Sequence, residues 1–223
     1  LIRRRIAGEP LQYILGRWEF MGLPFEVGEG VLIPRPETEL LPETAKVRLS
    51  NVKEPVVFDL CSGSGCIAIS VAKQFPKAKV YAVEKSKEAC EYLKKNIKLN
   101  KVKNVELICG DIADKSLLGG VEADCILSNP PYIKSEEIPF LQKEVQKEPK
   151  TALDGGADGL DFYKILAAVW LPRLKADGFI AVECGESQAE DVSQLFYLAG
   201  GSVDTINDLS GIPRVVTAVK RIG

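Results

Sequence analysis

From about residue 55 onward, short apolar and β-branched runs alternate with longer stretches whose apolar positions recur at helical spacing. Runs at 56–60, 79–83, 105–109, 123–128 and 179–183 predict buried strands, and stretches at 66–74, 87–98, 162–174 and 188–198 predict the helices between them. Ser86 ahead of Lys87-Glu88 marks a helix start, and Gly178 after Ala176-Asp177 marks a helix stop. Beyond the last helix, runs at 202–207 and 215–220 flank Gly211-Ile212-Pro213 and predict an antiparallel pair at the sheet edge. The expected fold is α/β: a Rossmann-like, doubly wound, mostly parallel seven-stranded sheet with an antiparallel edge strand.

The first forty residues break this rhythm. Strand-like pieces at 21–25 and 31–33 are punctuated by Gly22, Pro24, Gly28, Gly30, Pro34 and Pro36, which predicts a short β-hairpin and then a loop lying over the main domain. Residues 1–15, with Arg3-Arg4-Arg5, read either as the tail of a helical domain or as a solvated arm. A start at Leu1 rather than Met favours the former, with a preceding part lost.

Composition narrows the chemistry. With 223 residues, 46% of them apolar, the chain can bury one sizeable core. Its 29 Lys and Arg nearly cancel 31 Asp and Glu, so no general field draws it to phosphate backbones, and a direct nucleic-acid substrate is not expected. The six cysteines form no CxxC pair and sit mostly in apolar runs, which suits free thiols in a reducing cytoplasm. The sequence has no histidine, which removes the usual general base, the Ser-His and Cys-His pairs and the commonest zinc ligand; no metal site is expected. Neither a bilayer-spanning apolar run nor a signal peptide is legible, so no membrane partner is expected.

Two segments carry the candidate chemistry. The strand at 56–60 runs into Cys61-Ser62-Gly63-Ser64-Gly65 and then a helix, where the glycines allow a tight turn and close ligand approach. About twenty residues on, the next strand ends in Glu84, placed to accept from both ribose hydroxyls. Gly110-Asp111-Ile112 then offers a carboxylate and an apolar side chain to an adenine ring, although Asp111 reads equally well as a helix cap. The spacing Gly63-x-Gly65-x-x-Ala68 also satisfies the dinucleotide fingerprint. The second segment, Asn129-Pro130-Pro131-Tyr132, decides between them. Its prolines fix φ twice and remove two backbone donors, leaving a rigid ledge of acceptors for a planar –NH2 group, with Tyr132 beside the flat substrate. An NAD-dependent oxidoreductase has no use for such a ledge; methyl transfer to a weakly nucleophilic nitrogen does.

Assembled, these residues resemble the protein-(glutamine) methyltransferases of the HemK/PrmC type, from residues 8–16 through Pro34-Arg35-Pro36-Glu37-Thr38-Glu39 to Asp208-Leu209-Ser210-Gly211 and Arg214-Val215-Val216. The resemblance implies that Cys61, Ser62, Gly63, Ser64, Gly65, Glu84, Asp111 and Ile112 bind S-adenosyl-L-methionine, released as S-adenosyl-L-homocysteine, with Asn129 bordering both ligands. It implies that Asn129, Pro130, Pro131 and Tyr132 hold the glutamine of the Gly-Gly-Gln tripeptide in peptide chain release factors, with Asn129, Pro130 and Tyr132 as the catalytic set. Arg35 is a further candidate, facing either the cofactor carboxylate or the substrate backbone. Residues 1–18 would be the remnant of a helical substrate-docking domain, 19–40 the hairpin and linker loop, and 41–223 the catalytic domain. Cys61 and Ser62 depart from the Gly and Thr common in the family, and Glu84 from Asp. Two other readings remain at this point: a methyltransferase acting on an exocyclic amine of adenine or guanine, and a non-catalytic module that retains the cofactor.

Overall fold

A computed structural model describes residues 1–221. Two short helices, α1 (Ile2–Ile6) and α2 (Leu11–Leu15), lead into a hairpin of β1 (Arg17–Phe20) and β2 (Leu23–Glu26). Met21 and Gly22 form its turn at φ 52° and 71°. The expected strand at 21–25 therefore begins at Leu23, because Met21 is held in the left-handed turn by its N–H, which donates to Glu39 Oε1 at 2.6 Å. Residues 31–33 make no strand. The Ile33 N–H that a sheet partner would take donates instead to the buried Glu148 carboxylate at 2.9 Å.

A 3-10 turn at Pro36–Glu39 runs into α3 (Leu40–Arg48), and the alternating pattern follows: β3 (Val56–Leu60), α4 (Cys66–Gln74), β4 (Lys79–Glu84), α5 (Lys87–Leu99), β5 (Val105–Cys109), β6 (Ala123–Ser128), α6 (Asp161–Ile165), β7 (Leu174–Glu183), α7 (Ala189–Leu198), β8 (Gly201–Asn207) and β9 (Pro213–Lys220). The seven-stranded sheet has the order β5-β4-β3-β6-β7-β9-β8. Strands β3 to β7 are parallel, and β9 is antiparallel to both its neighbours, so the reversed strand lies one place in from the edge.

Side chains alternate across each central strand, which is why these segments read as unbroken apolar runs. Val57, Val80, Leu127 and Ala181 pack under α3, α4 and α5. Phe58, Val83, Ile126 and Ile180 pack under α6, α7 and the residues following α6. Helix α5 starts as expected, with Ser86 Oγ accepting from the Ala89 N–H at 3.2 Å.

The helical stretch after residue 161 is less regular than its spacing suggests. It passes from α6 through a π turn at Leu166–Trp170 to a 3-10 turn at Leu171–Arg173, where Pro172 ends it. Gly178 is thus no helix stop. It lies in β7, where Ala123 pairs with Leu174 and Cys125 with Phe179, so the residues between Leu174 and Phe179 bulge outward. A Cβ on Gly178 would stand 2.8 Å from the Ala123 carbonyl oxygen. The π turn seats Trp170, fully buried, edge-on to Phe58 at 5.8 Å. Its indole N–H donates to the Ile112 carbonyl at 2.9 Å and so fixes the backbone just beyond β5.

The chain winds outward from β3 to β5 and then returns to the other side of β3 with β6. That reversal opens a crevice at the carboxyl ends of β3 and β6, where ligands of doubly wound sheets bind.

Candidate functional site

The crevice is a cavity of about 630 Å³. Cys61, Ser62, Gly63, Ser64, Glu84, Asp111, Ile112, Asn129, Pro131 and Arg35 all line it, so the two candidate segments of the sequence meet at one place. Gly65, Pro130 and Tyr132 stand just outside the lining.

The loop after β3 is held by its own backbone. Cys61 at φ 62°, Gly63 at 54° and Gly65 at 81° give three left-handed turns within five residues. Ser62 Oγ donates to the Asp59 carbonyl at 2.7 Å, and the Gly65 N–H to the Ser62 carbonyl at 2.8 Å. Space forbids a side chain at Gly65, where a Cβ would come to 2.8 Å from Leu93 Cγ; at Gly63, where nothing lies within 4 Å of a Cβ and the backbone is open to a ligand, the left-handed φ calls for glycine. Cys61 has no such freedom, and a left-handed non-glycine residue costs about 1–2 kcal/mol. Cys61→Gly is expected to stabilise the fold by about 1 kcal/mol net of glycine's greater unfolded-state freedom, raising Tm by about 2–4 °C in a thermal melt. An unchanged or lower Tm would mean that the packing of the sulfur outweighs the strain.

Glu84 ends β4 beneath this loop. Its Oε2 accepts from the Gly63 N–H at 2.8 Å and its Oε1 from the Ser86 N–H at 2.7 Å. A carboxylate has about four acceptor sites, so one on each oxygen is left over. Burial raises its pKa, against the lowering by these backbone donors. At the rim, Asp111 is held ionised below the usual carboxylate range by Lys85, whose Nζ lies 2.7 Å away, and by the Ala113 N–H. Asp111 thus caps the turn that follows it and also faces the cavity, which joins the two roles its sequence left open. Asn96, fully buried in α5, donates from Nδ2 to the Ser64 carbonyl at 2.9 Å and accepts the Glu26 N–H at 2.6 Å, tying the hairpin to the glycine loop.

The Asn129-Pro130-Pro131-Tyr132 segment follows β6 directly. Asn129 Nδ2 donates to Thr38 Oγ1 at 3.0 Å, which leaves Oδ1 as the free acceptor of the side chain. Thr38 donates in turn to Glu183 Oε2 at 2.6 Å, and both residues are 2% exposed. Burial pushes Glu183 up to about 7. Tyr132 corrects an expectation: it does not line the cavity, because its hydroxyl turns inward to Glu183 Oε1 at 3.5 Å. Its backbone is clamped instead, with Gln188 Nε2 donating to the Tyr132 carbonyl at 2.9 Å. A Cβ on Gly155 would press to 2.8 Å from Tyr132 Cα, so the loop before α6 closes tightly behind the segment.

Arg35 also differs from expectation. It lines the cavity, but its guanidinium is paired with Glu148, whose other oxygen takes the Ile33 N–H. The loop at 34–39 therefore acts as a set of tethers: Arg35 to Glu148, Thr38 to Asn129 and Glu183, and Glu39 to the hairpin turn. Thr38, Glu148 and Glu183 were not among the residues expected from the sequence to build the site.

The profile of the "Methyltransferase small domain" family matches residues 37–157. A release factor glutamine methyltransferase from Thermodesulfovibrio yellowstonii is 40% identical over 99% of this chain and 80% of its own length. The chain belongs to the release factor glutamine methyltransferases. The enzyme is also 43% identical to the protein of that name from Geobacter sulfurreducens, over 97% of this chain and 75% of that one. Among solved structures it resembles a release-factor-specific protein-(glutamine-N5) methyltransferase from Alicyclobacillus acidocaldarius, with a TM-score of 0.54 and 32% identity, covering 89% of this chain and 100% of that one.

Proposed function

We propose that the enzyme methylates the side-chain amide nitrogen of the glutamine in the Gly-Gly-Gln motif of peptide chain release factors, with S-adenosyl-L-methionine as donor and S-adenosyl-L-homocysteine as product. The observation that carries this reading is the free Oδ1 of Asn129 in the same cavity as the glycine loop and Glu84. The cavity suits the donor: Glu84 keeps an acceptor site on each oxygen for the two ribose hydroxyls, and Gly63 leaves its side of the loop open. Asp111 is ionised at the rim, and Ile112 offers an apolar wall whose backbone Trp170 fixes. When bound, the donor would supply a sulfonium methyl group, an electrophilic carbon that a nitrogen can attack in line while the neutral thioether of S-adenosylhomocysteine leaves.

The chain's own residues supply position. Asn129 Oδ1 accepts one hydrogen of the substrate –NH2, the Pro130 carbonyl, from its place at the cavity's edge, is assigned the other, and the prolines bring no competing N–H to the ledge. Accepting both hydrogens pushes electron density onto a nitrogen whose lone pair is otherwise drawn into its carbonyl, and fixing its direction supplies much of the acceleration. An amide nitrogen that has gained a methyl group is strongly acidic, so its proton needs no tuned base and a histidine-free chain suffices.

Residues 1–18 expose Leu1, Ile2, Ile6, Leu11 and Leu15, an apolar surface that fits a docking segment for the protein substrate. The reading places the enzyme with the translation machinery in the cytoplasm. Among the described residues no helix is long and apolar enough to cross a membrane. Incubated with labelled S-adenosylmethionine, a release factor and, separately, single-stranded DNA or RNA, the enzyme is expected to label the protein alone. Label on nucleic acid alone would contradict the assignment.

A further inference from the structure

The hydrogen bonds that end on Asn129 begin at a buried carboxylate. Glu183, the last residue of β7, takes the Thr38 hydroxyl hydrogen at 2.6 Å, and the same Thr38 oxygen accepts from Asn129 Nδ2 at 3.0 Å. A hydroxyl has one hydrogen to give. A carboxylate has none, so Thr38 must donate to Glu183 and meet Asn129 as an acceptor. The Asn129 amide is thereby forced to turn its NH2 inward and its Oδ1 to the cavity. Turned over, it would present two donors to a substrate amide that itself brings two, and neither could be satisfied.

Resting on the functional reading above, we propose that Glu183 is a positioning residue: as a carboxylate it holds the Thr38 hydroxyl, and through it the Asn129 amide, in the one orientation that offers an acceptor to the substrate nitrogen. The groups around it come from every neighbouring element: Glu37 on the 3-10 turn, Tyr132 after β6, Arg214 on β9 with its partner Asp208, Tyr163 on α6, Cys66 on α4 and the adjoining Cys184. Burial lifts Cys66 to about 12 and Cys184 to about 11, and pushes both tyrosines above their ordinary value. Asp208 is lowered by the Ile212 N–H, and Arg214 is raised by Asp208 against the opposing effect of its burial. Glu183, lifted by burial to about 7, is the member of this group that changes charge near neutrality. Protonated, it has a hydrogen to give; the relay can then reverse, so kcat should climb as pH rises through about 7.

The test compares kcat and KM for methyl transfer to a release factor across neutral pH. Thr38→Val keeps the shape and removes the relay, and is expected to lower kcat about 100-fold, the scale of loss for a misplaced reacting group. Its cofactor Kd should stay within about twofold of wild type, because the Thr38 hydroxyl is already engaged by Glu183 and Asn129 and valine keeps its shape at the cavity wall. Thr38→Ser should restore most of the rate. Glu183→Gln should remove the rise in kcat near neutrality. Asp59, which burial also holds at about 7, lies beneath the glycine loop and would report through cofactor Kd instead. The side-chain amide resonance of Asn129 in 15N-labelled enzyme reads the relay without turnover. It should move through neutral pH in wild type and stand still in Glu183→Gln. If it ignores pH in wild type while Thr38→Val keeps full kcat, the relay is wrong and the methylation stands. If it responds while no release factor is labelled, the relay stands and the function fails.

Discussion

Replacing Glu84 with alanine is expected to weaken S-adenosylmethionine binding about 10²–10⁴-fold, because two hydrogen bonds to a charged acceptor are lost, each worth about 1.5–3 kcal/mol. The carboxylate also organises the loop it serves. Its oxygens hold the Gly63 and Ser86 N–H groups, which the substitution leaves without that partner. Glutamine is no conservative replacement here: one oxygen would become an NH2 facing a backbone N–H, donor against donor. Glu84→Gln should therefore lose nearly as much affinity as Glu84→Ala, and calorimetric titration with S-adenosylhomocysteine measures both. At saturating cofactor much of kcat should survive. A fall in kcat with unchanged affinity would contradict the role given to Glu84.

Asn129→Ala is expected to divide the effects the other way. Removing one preorganised polar group at a reacting centre typically costs about 10²–10³ in kcat, and Asn129 supplies the acceptor that positions the transferring nitrogen. Cofactor affinity should change less than about threefold, because Glu84, the glycine loop and Ile112 remain. The substitution also leaves Thr38 Oγ1 without its donor, but that oxygen keeps its bond to Glu183, so the fold should hold. Equal losses in affinity and rate would mean that Asn129 serves the donor rather than the nitrogen.

The sheet was legible because its central strands are buried on both faces, and strands such as Val56–Leu60 and Ala123–Ser128 begin and end where their apolar runs do. The errors fall where a distant partner overrides local pattern. Residues 31–33 look like a strand until the carboxylate of Glu148, 115 residues away in sequence, takes the Ile33 N–H. Gly178 looks like a helix stop, but the helix has already ended at Pro172, a local signal that outranks the glycine.

The site divides in the same manner. Glu84 ends its strand, and Gly63, Asp111 and Asn129 each follow a strand within three residues, where position alone marks them. Thr38 and Glu183 are separated by 145 residues, and although Thr38 lies in the Pro34–Glu39 segment, nothing local pairs it with Glu183; only folding shows that one hydroxyl joins the loop at 34–39 to the Asn-Pro-Pro-Tyr segment. Tyr132 belongs to the motif by sequence, but its hydroxyl turns to Glu183, which the local sequence does not reveal.

The most direct measurement is peptide mapping by mass spectrometry of a release factor after incubation with the enzyme and S-adenosylmethionine, beside a release factor carrying Gln→Ala in the Gly-Gly-Gln tripeptide. A single added methyl group on that glutamine, absent from the substituted protein, is the predicted result. Methyl groups on another residue, or equal methylation of the substituted protein, would contradict it.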